Sequence, residues 1–363
     1  MLPANLSVDR ATTTASDALA RCHMVHRLPV LMLHVHSDCN CRCVMCDIWK
    51  TRAHREIPLE GVRGWLPGWQ ELGVERVVLT GGEPLMHSQF PELLRLVRDG
   101  GFSTTVLSTG LLVRRHADAL ARDCDELVLS LDGPPPVHDA IRNVPRAFER
   151  LAEGVRALRS QGGTKPRITA RCTVQRANCT SLCATVDTAI ALGLDGVSFL
   201  AVDVSSEAFD RTAPLSEDRV RELLPSADQL SSLEAEINAL EARHGDAFGS
   251  GYIAEKPDKL RRRLLHYFQA ALGRNAFPAI NCNAPWVSAV VETDGTVRPC
   301  FFHRAYHRVD GGREATLASV LNAPGAVSWR AMLDVQSDPI CARCVCNLMW
   351  KDPAVSREAR GSG

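Results

Sequence analysis

The sequence predicts an α/β fold: a parallel sheet curled into a partial (β/α)6 barrel, followed by a small cysteine-bearing C-terminal domain. Three observations carry that reading. Short apolar runs alternate with helical patterns, the order that a parallel sheet with right-handed crossovers needs. Glycines stop helices where the next run must begin. The alternation ends after Asp203, and a second group of cysteines begins at Cys282.

Residues 30–35, 76–80, 104–108, 126–131, 167–174 and 196–200 read as strands. Between the first two, Val62, Leu66, Trp69 and Leu72 share a helical face, although Pro67 is expected to kink or break that helix. Leu93, Leu94 and Val97 line the next helix, which Gly100 and Gly101 end. Leu151, Val155 and Leu158 mark a third, and Leu182, Val186 and Ile190 a fourth that ends at Gly193. Further on, Ser216 caps a helix containing Val220, Leu223 and Leu224, stopped by Pro225. Leu230, Leu233, Ile237 and Leu240 share another face, and a basic helix covers about 258–272. Residues 286–292 and 297, joined through Thr293-Asp294-Gly295-Thr296, read as a β-hairpin with Asp-Gly at its turn. The expected organisation is an N-terminal extension over 1–27, the barrel over 28–202, a helical linker over 203–280, the cysteine domain over 281–350 and a disordered tail over 351–363.

The 363 residues suffice for one large domain and an appendage. Hydrophobic residues make up 45% and charged residues 23%, ordinary values for a globular protein. The formal net charge is zero, which gives no reason to expect nucleic acid or an anionic membrane as partner. No apolar run approaches the length of a membrane span. The first residues lack the apolar centre of a signal peptide. The fourteen cysteines are therefore expected to ligate metal in a reducing cytoplasm rather than to form disulfides.

Chemistry concentrates first at Cys39-x3-Cys43-x2-Cys46, just past the first strand. Three thiolates leave one position open on a four-iron cluster. A zinc site is the competing reading, because Cys43 and Cys46 form a C-x2-C hook, and Cys41 complicates which three cysteines act together. Thr80-Gly81-Gly82-Glu83-Pro84 follows the second strand. Two glycines let the backbone run close against a ligand, and carbonyls with the Glu83 carboxylate can accept hydrogen bonds from a cationic amino group.

Together the cysteine spacing and the Gly81-Gly82-Glu83 motif resemble the radical S-adenosylmethionine (SAM) enzymes. The resemblance implies a [4Fe–4S] cluster on Cys39, Cys43 and Cys46 whose open iron takes the amino and carboxylate groups of SAM. Electron transfer to SAM then yields a 5'-deoxyadenosyl radical that abstracts hydrogen from an unactivated C–H bond. It also implies that Gly81, Gly82 and Glu83 contact SAM, with Ser130 at the fourth strand's end and Arg171 on the fifth. Met45 stands where the family usually has an aromatic residue, and Ser108-Thr109-Gly110 where it often has Thr-Asn-Gly. The cluster loop, the glycine pair and Ser130 all fall at C-terminal strand ends, where barrels build their active sites.

Cys282, Cys300, Cys341, Cys344 and Cys346 form the second group. Their spacing is similar to that of the Twitch domain, a shortened form of the SPASM domain. The resemblance implies one auxiliary [4Fe–4S] cluster on Cys282, Cys300, Cys341 and Cys344, with Cys346 able to replace one of them; a zinc ribbon is the alternative. Among the remaining cysteines, Cys172 is a candidate hydrogen-atom donor if it faces the barrel interior.

The cysteine pattern resembles most the aminocyclitol (2-deoxy-scyllo-inosamine) dehydrogenases of aminoglycoside biosynthesis. The expected function is oxidation of a carbinol C–H in a small polar metabolite, with the auxiliary cluster accepting an electron. A flavodoxin- or ferredoxin-type protein is the expected electron donor. A sugar epimerase using a cysteine hydrogen-atom donor and a peptide-modifying maturase are the alternatives.

Overall fold

A computed structural model of the chain describes residues 22–351, apart from 52, 164, 165, 212, 214 and 310–314. Most of the expected N-terminal extension and the expected tail lie outside the described residues.

The six expected strands form within a residue or two of their expected limits: β1 Val30–His36, β2 Arg76–Gly81, β3 Ser103–Ser108, β4 Glu126–Ser130, β5 Arg167–Val174 and β6 Gly196–Ala201. Each pairs in parallel with its sequence neighbour, so the chain steps along the sheet with a helical crossover every time. The pleat sorts the side chains. Leu31, Leu33 and Val35 are buried on one face of β1, while Val30 and Met32 line a cavity on the other. On β5, Ile168, Ala170, Cys172 and Val174 are buried, whereas Arg171 and Thr173 face the interior cavity.

The sheet does not stop at β1. A seventh strand, β7 Ser288–Val291, pairs in parallel with β1 on its open side, and β8 Thr296–Arg298 and β9 His307–Arg308 follow antiparallel. The resulting order is β6-β5-β4-β3-β2-β1-β7-β8-β9. The expected hairpin is therefore real, but it extends the barrel's own sheet rather than standing apart. Its turn needs glycine: Gly295 has φ 84°, and a Cβ there would lie 2.4 Å from the Val309 carbonyl oxygen. Trp286, expected in the hairpin, instead lies in a short helical turn, Ala284–Val287.

Two helical expectations change. Leu59–Glu71 runs unbroken through Pro67. Pro67 lies on the exposed side, so the Arg63 carbonyl that it deprives of a partner can turn to water. Buried Val62 and Trp69 hold the other side, with Trp69 edge-on to Phe102 at 5.9 Å. In Leu182–Ala191, Ile190 is exposed, and Leu182, Cys183, Thr185, Val186 and Ala189 make the buried face.

The expected linker is helical. Ser216 caps Glu217–Leu223, and Ser226 with Gln229 forms a capping box on Ala227–Arg243. Leu230, Leu233, Ile237 and Leu240 are buried. The segment then covers the outer edge of the sheet through a bridge between Val197 and Ile253. The basic stretch is interrupted by a π-helical turn, Arg262–His266, a local irregularity that directs Arg263 to the interior cavity.

Candidate active site

The loop over 37–47 leaves the C-terminal end of β1 and is pinned on three sides. Arg42 and Val44 donate backbone hydrogen bonds to the carbonyls of Arg142 and Ile141, at 3.0 and 3.1 Å. Arg211 donates to the Met45 carbonyl at 3.0 Å, and Asp47 donates to that of Phe209 at 3.3 Å. The third side is the glycine pair. A Cβ on Gly81 would lie 2.4 Å from the His36 carbonyl oxygen, and one on Gly82 only 2.1 Å from that of Asp38. The glycines thus admit the cluster loop's own backbone as well as opening toward the cavity, a tertiary requirement that the motif alone did not reveal.

Cys39, Cys43 and Cys46 line one cavity of about 230 Å³ with Met45, Thr80, Gly81, Gly82, Ser130 and Arg171. Cys41 turns away from it and is buried against Leu111 and Ala147. This arrangement separates the triad from the fourth cysteine of the loop. Burial raises the thiols of Cys39 and Cys46. Cys43 is lowered, first by its hydrogen bond with Cys41 and then by Arg142.

The expected SAM contacts fall in different places. Ser130 and Arg171 both reach the cavity, and Arg171 is exposed there with no ion-pair partner among the described residues. Glu83 is fully buried and does not line the cavity. Its carboxylate accepts from Ser108 Oγ at 2.8 Å, Thr109 N at 2.7 Å and Leu85 N at 3.1 Å. What this motif presents to the cavity is the backbone of Thr80, Gly81 and Gly82. Thr109 has a further tie, donating from its hydroxyl to Asn40 of the cluster loop at 2.9 Å. Cys172 is corrected: it is wholly buried, packed in the core, and accepts from Asn178 Nδ2 at 3.5 Å. It occupies the wrong face of β5 for a hydrogen-atom donor.

The second cysteine group is assembled from distant parts of the chain. Cys282 precedes the turn that leads into β7, Cys300 follows β8, and Cys341 opens a tight helical turn, Cys341–Arg343, that Cys344 closes. With Cys346 they line a cavity of about 280 Å³ that shares Arg171 and Leu200 of the barrel, and Val345, with the first cavity. Cys346 is exposed, whereas Cys341 is buried. The two cavities are therefore neighbours, with Arg171, Leu200 and Val345 common to both linings.

Zinc–sulfur bonds of about 2.3 Å would draw tetrahedral sulfurs to about 3.8 Å from one another. Among the described residues, the one set of three ligand-type atoms within 4.8 Å of one another is His303, Asp338 and Cys341. No three cysteine sulfurs among the described residues meet that limit; three cysteines at the first cavity and five at the second are the thiol donor set that an iron–sulfur cluster takes.

Sequence reasoning missed several residues. Arg142 and Asp132 form a buried ion pair at 2.6 Å beside Cys43, and Arg211 and Asp203 form another at 2.6 Å beneath Met45. Glu255 and Arg263 line the chamber from the linker. None belongs to a motif, and only the fold brings them to the site.

Comparison with known proteins finds two family models that match the chain. The Radical SAM superfamily model matches residues 34–176, and the SPASM iron–sulfur cluster-binding domain matches 282–345. An AdoMet-dependent heme synthase of Nitratidesulfovibrio vulgaris is 31% identical over 136 residues, 35% of this chain and 36% of that protein. A GTP 3',8-cyclase of Peptoclostridium acidaminophilum is 31% identical over 145 residues, 38% of this chain and 45% of that protein. The chain thus spans less than half the length of these two curated relatives. Among solved structures, Streptococcus suis SuiB bound to SAM superposes with TM-score 0.63 at 15% identity, over 92% of this chain and 76% of that one. AdoMet-bound anSMEcpe superposes with TM-score 0.62 at 16% identity, over 88% of this chain and 83% of that one. At such identities the likeness is one of fold.

Proposed function

We propose, for a chain that carries a radical SAM domain and a C-terminal SPASM/Twitch iron–sulfur domain, that it oxidises a residue of a peptide substrate held between its two cysteine groups. The two domains imply a [4Fe–4S] cluster that binds SAM and an auxiliary cluster. In this proposal Cys39, Cys43 and Cys46 hold the first and leave one iron open. The free guanidinium of Arg171 pairs with the SAM carboxylate, Ser130 hydrogen-bonds SAM, and the Gly81–Gly82 backbone receives its ammonium. Met45 packs against the adenine. Bound there, SAM and the reduced cluster supply a carbon-centred radical that takes a hydrogen atom from an unactivated C–H bond. Cys282, Cys300, Cys341 and Cys344 hold the auxiliary cluster, positioned to receive the further electron that the substrate must lose. Phe301, Phe302, Leu200 and Val345 keep water from the reacting carbon. A flavodoxin- or ferredoxin-type protein supplies the first electron in a reducing cytoplasm.

One observation carries the peptide reading. The C-terminal domain continues the barrel sheet and sets the cavities of the two cysteine groups side by side, and SuiB and anSMEcpe, two of the fold neighbours, have been solved with a precursor peptide and with the Cp18Cys peptide respectively. A second reading, oxidation of a carbinol in a small polar metabolite, is favoured by the chamber's charged wall of Arg171, Glu255 and Arg263. The curated relatives, named for heme and for GTP, also support a small molecule.

The deciding experiment incubates the anaerobically reconstituted protein with SAM, reductant and either unstructured peptides or a panel of aminocyclitols and sugars. Under the peptide reading, 5'-deoxyadenosine formation rises with a peptide, which loses two mass units. Stimulation by aminocyclitols or sugars alone, with the same mass loss, replaces it by the second reading.

A further inference from the structure

We propose that His303 is a positioning residue of the auxiliary centre: its imidazole N–H donates to the Cys341 thiolate and raises the reduction potential of the cluster held there. His303 Nε2 lies 3.2 Å from Cys341 Sγ. The side chain is almost wholly buried, and its ring meets Trp329 edge to face at 4.9 Å, which fixes the plane. The fold brings the pair together from 38 positions apart in sequence.

The neighbours of Nε2 determine which atom carries the proton. A ligating cysteine is a thiolate and accepts. The other near group is Asp338 Oδ1, at 3.7 Å, also an acceptor. That oxygen is itself held by the backbone N–H groups of Ile340 and Cys341, each at 2.9 Å. With acceptors on both sides, the stable tautomer places hydrogen on Nε2, and the sulfur is the nearer acceptor. An N–H directed at a cluster thiolate draws negative charge from it and favours the reduced cluster. A centre that must take an electron from a substrate radical gains driving force from such a donor.

This inference rests on the assignment of Cys341 to the auxiliary cluster, and the test separates the two. The full-length protein carrying Cys39→Ala, Cys43→Ala and Cys46→Ala is reconstituted anaerobically, so that the auxiliary cluster is observed by itself. Its midpoint potential is measured by EPR-monitored redox titration, with iron content and circular dichroism as controls. In this background His303→Phe keeps an aromatic ring against Trp329 and removes the donor. His303→Ala gives the same comparison with less demand on packing. The expected result is unchanged iron and a reduction equilibrium at least tenfold less favourable, a downward shift of about 59 mV for one electron. His303→Gln, which retains an N–H, recovers part of that shift. Full iron with an unmoved potential in either donor-free variant overturns the proposal. So does loss of auxiliary iron from a folded donor-free variant, which would make His303 a ligand. Failure of the underlying assignment reads differently: Cys341→Ala would retain all of the auxiliary iron.

Discussion

Arg142 Nη1 lies 3.6 Å from the sulfur of Cys43, while its Nη2 holds the carboxylate of Asp132 at 2.6 Å. The guanidinium is therefore a buried cation shared between a proposed cluster ligand and a carboxylate with no solvent access. Asp132 is fixed in turn by the backbone N–H of Thr173 at 3.1 Å. One residue thereby ties the cluster loop to the ends of β4 and β5.

Arg142→Met is expected to destabilise the fold by about 3–5 kcal/mol, because it leaves the Asp132 charge buried and uncompensated. Asp132→Asn in the same chain should recover part of that loss. Chemical denaturation of the single and double variants measures both. Equal stability of the wild type and Arg142→Met would show that the pair does not hold the loop.

Reconstituted protein is expected to carry about eight iron atoms, four at each site. Replacing Cys39, Cys43 and Cys46 together by alanine should remove about half and abolish SAM cleavage. Cys41→Ala should leave the iron content unchanged, since that thiol is packed away from the cavity. Iron lost in Cys41→Ala at the level of a single triad variant would reassign the ligands.

Gly82→Ala places a methyl group where the Asp38 carbonyl stands, 2.1 Å away. Neither partner is a flexible side-chain end, so the cluster loop must shift. A cost of about 1–3 kcal/mol is expected, together with poor cluster assembly. Thermal denaturation of the apoprotein and iron content of the reconstituted protein give the two readouts, and a wild-type result in both would contradict the close approach.

His34 stacks on Phe301 at 5.3 Å, and its Nε2 is buried without a partner. Burial, followed by the charge of Arg298, lowers it from 6.5 to about 4. The unfolded chain therefore binds the extra proton first, and stability present above pH 6.5 is lost as pH falls toward 4. The loss amounts to about 3 kcal/mol over that window. His34→Phe should remove this part of the slope when unfolding free energies are compared at pH 7 and pH 4.5; an unchanged slope would mean that His34 does not contribute it.

Removing Cys282 and Cys300 together is expected to leave SAM cleavage possible and to block oxidised product. Because metal binding and folding are coupled at such sites, intact circular dichroism is the condition for reading the result. A folded double variant without auxiliary iron that still forms product at the wild-type rate would exclude the auxiliary cluster as electron acceptor.

The sequence by itself determined the strand order of the barrel, because each strand–helix unit is a local pattern of apolar period and glycine stops. It also determined both cysteine groups, whose spacing lies within short segments or beside a readable turn. Tertiary structure decided the rest. Whether Cys172 meets the interior depends on the pleat register of β5, and the register puts Arg171 there instead. Whether Glu83 reaches the cavity depends on what packs against it, and Ser108, Thr109 and Leu85 take its oxygens. Pairing of β7 with β1, which sets the cavities of the two cysteine groups side by side, links residues more than 250 positions apart, as Val30 with Ser288. Arg142 beside Cys43 and His303 beside Cys341 arise in the same way: a single buried cation or imidazole has no sequence period, and only the folded chain supplies its partner.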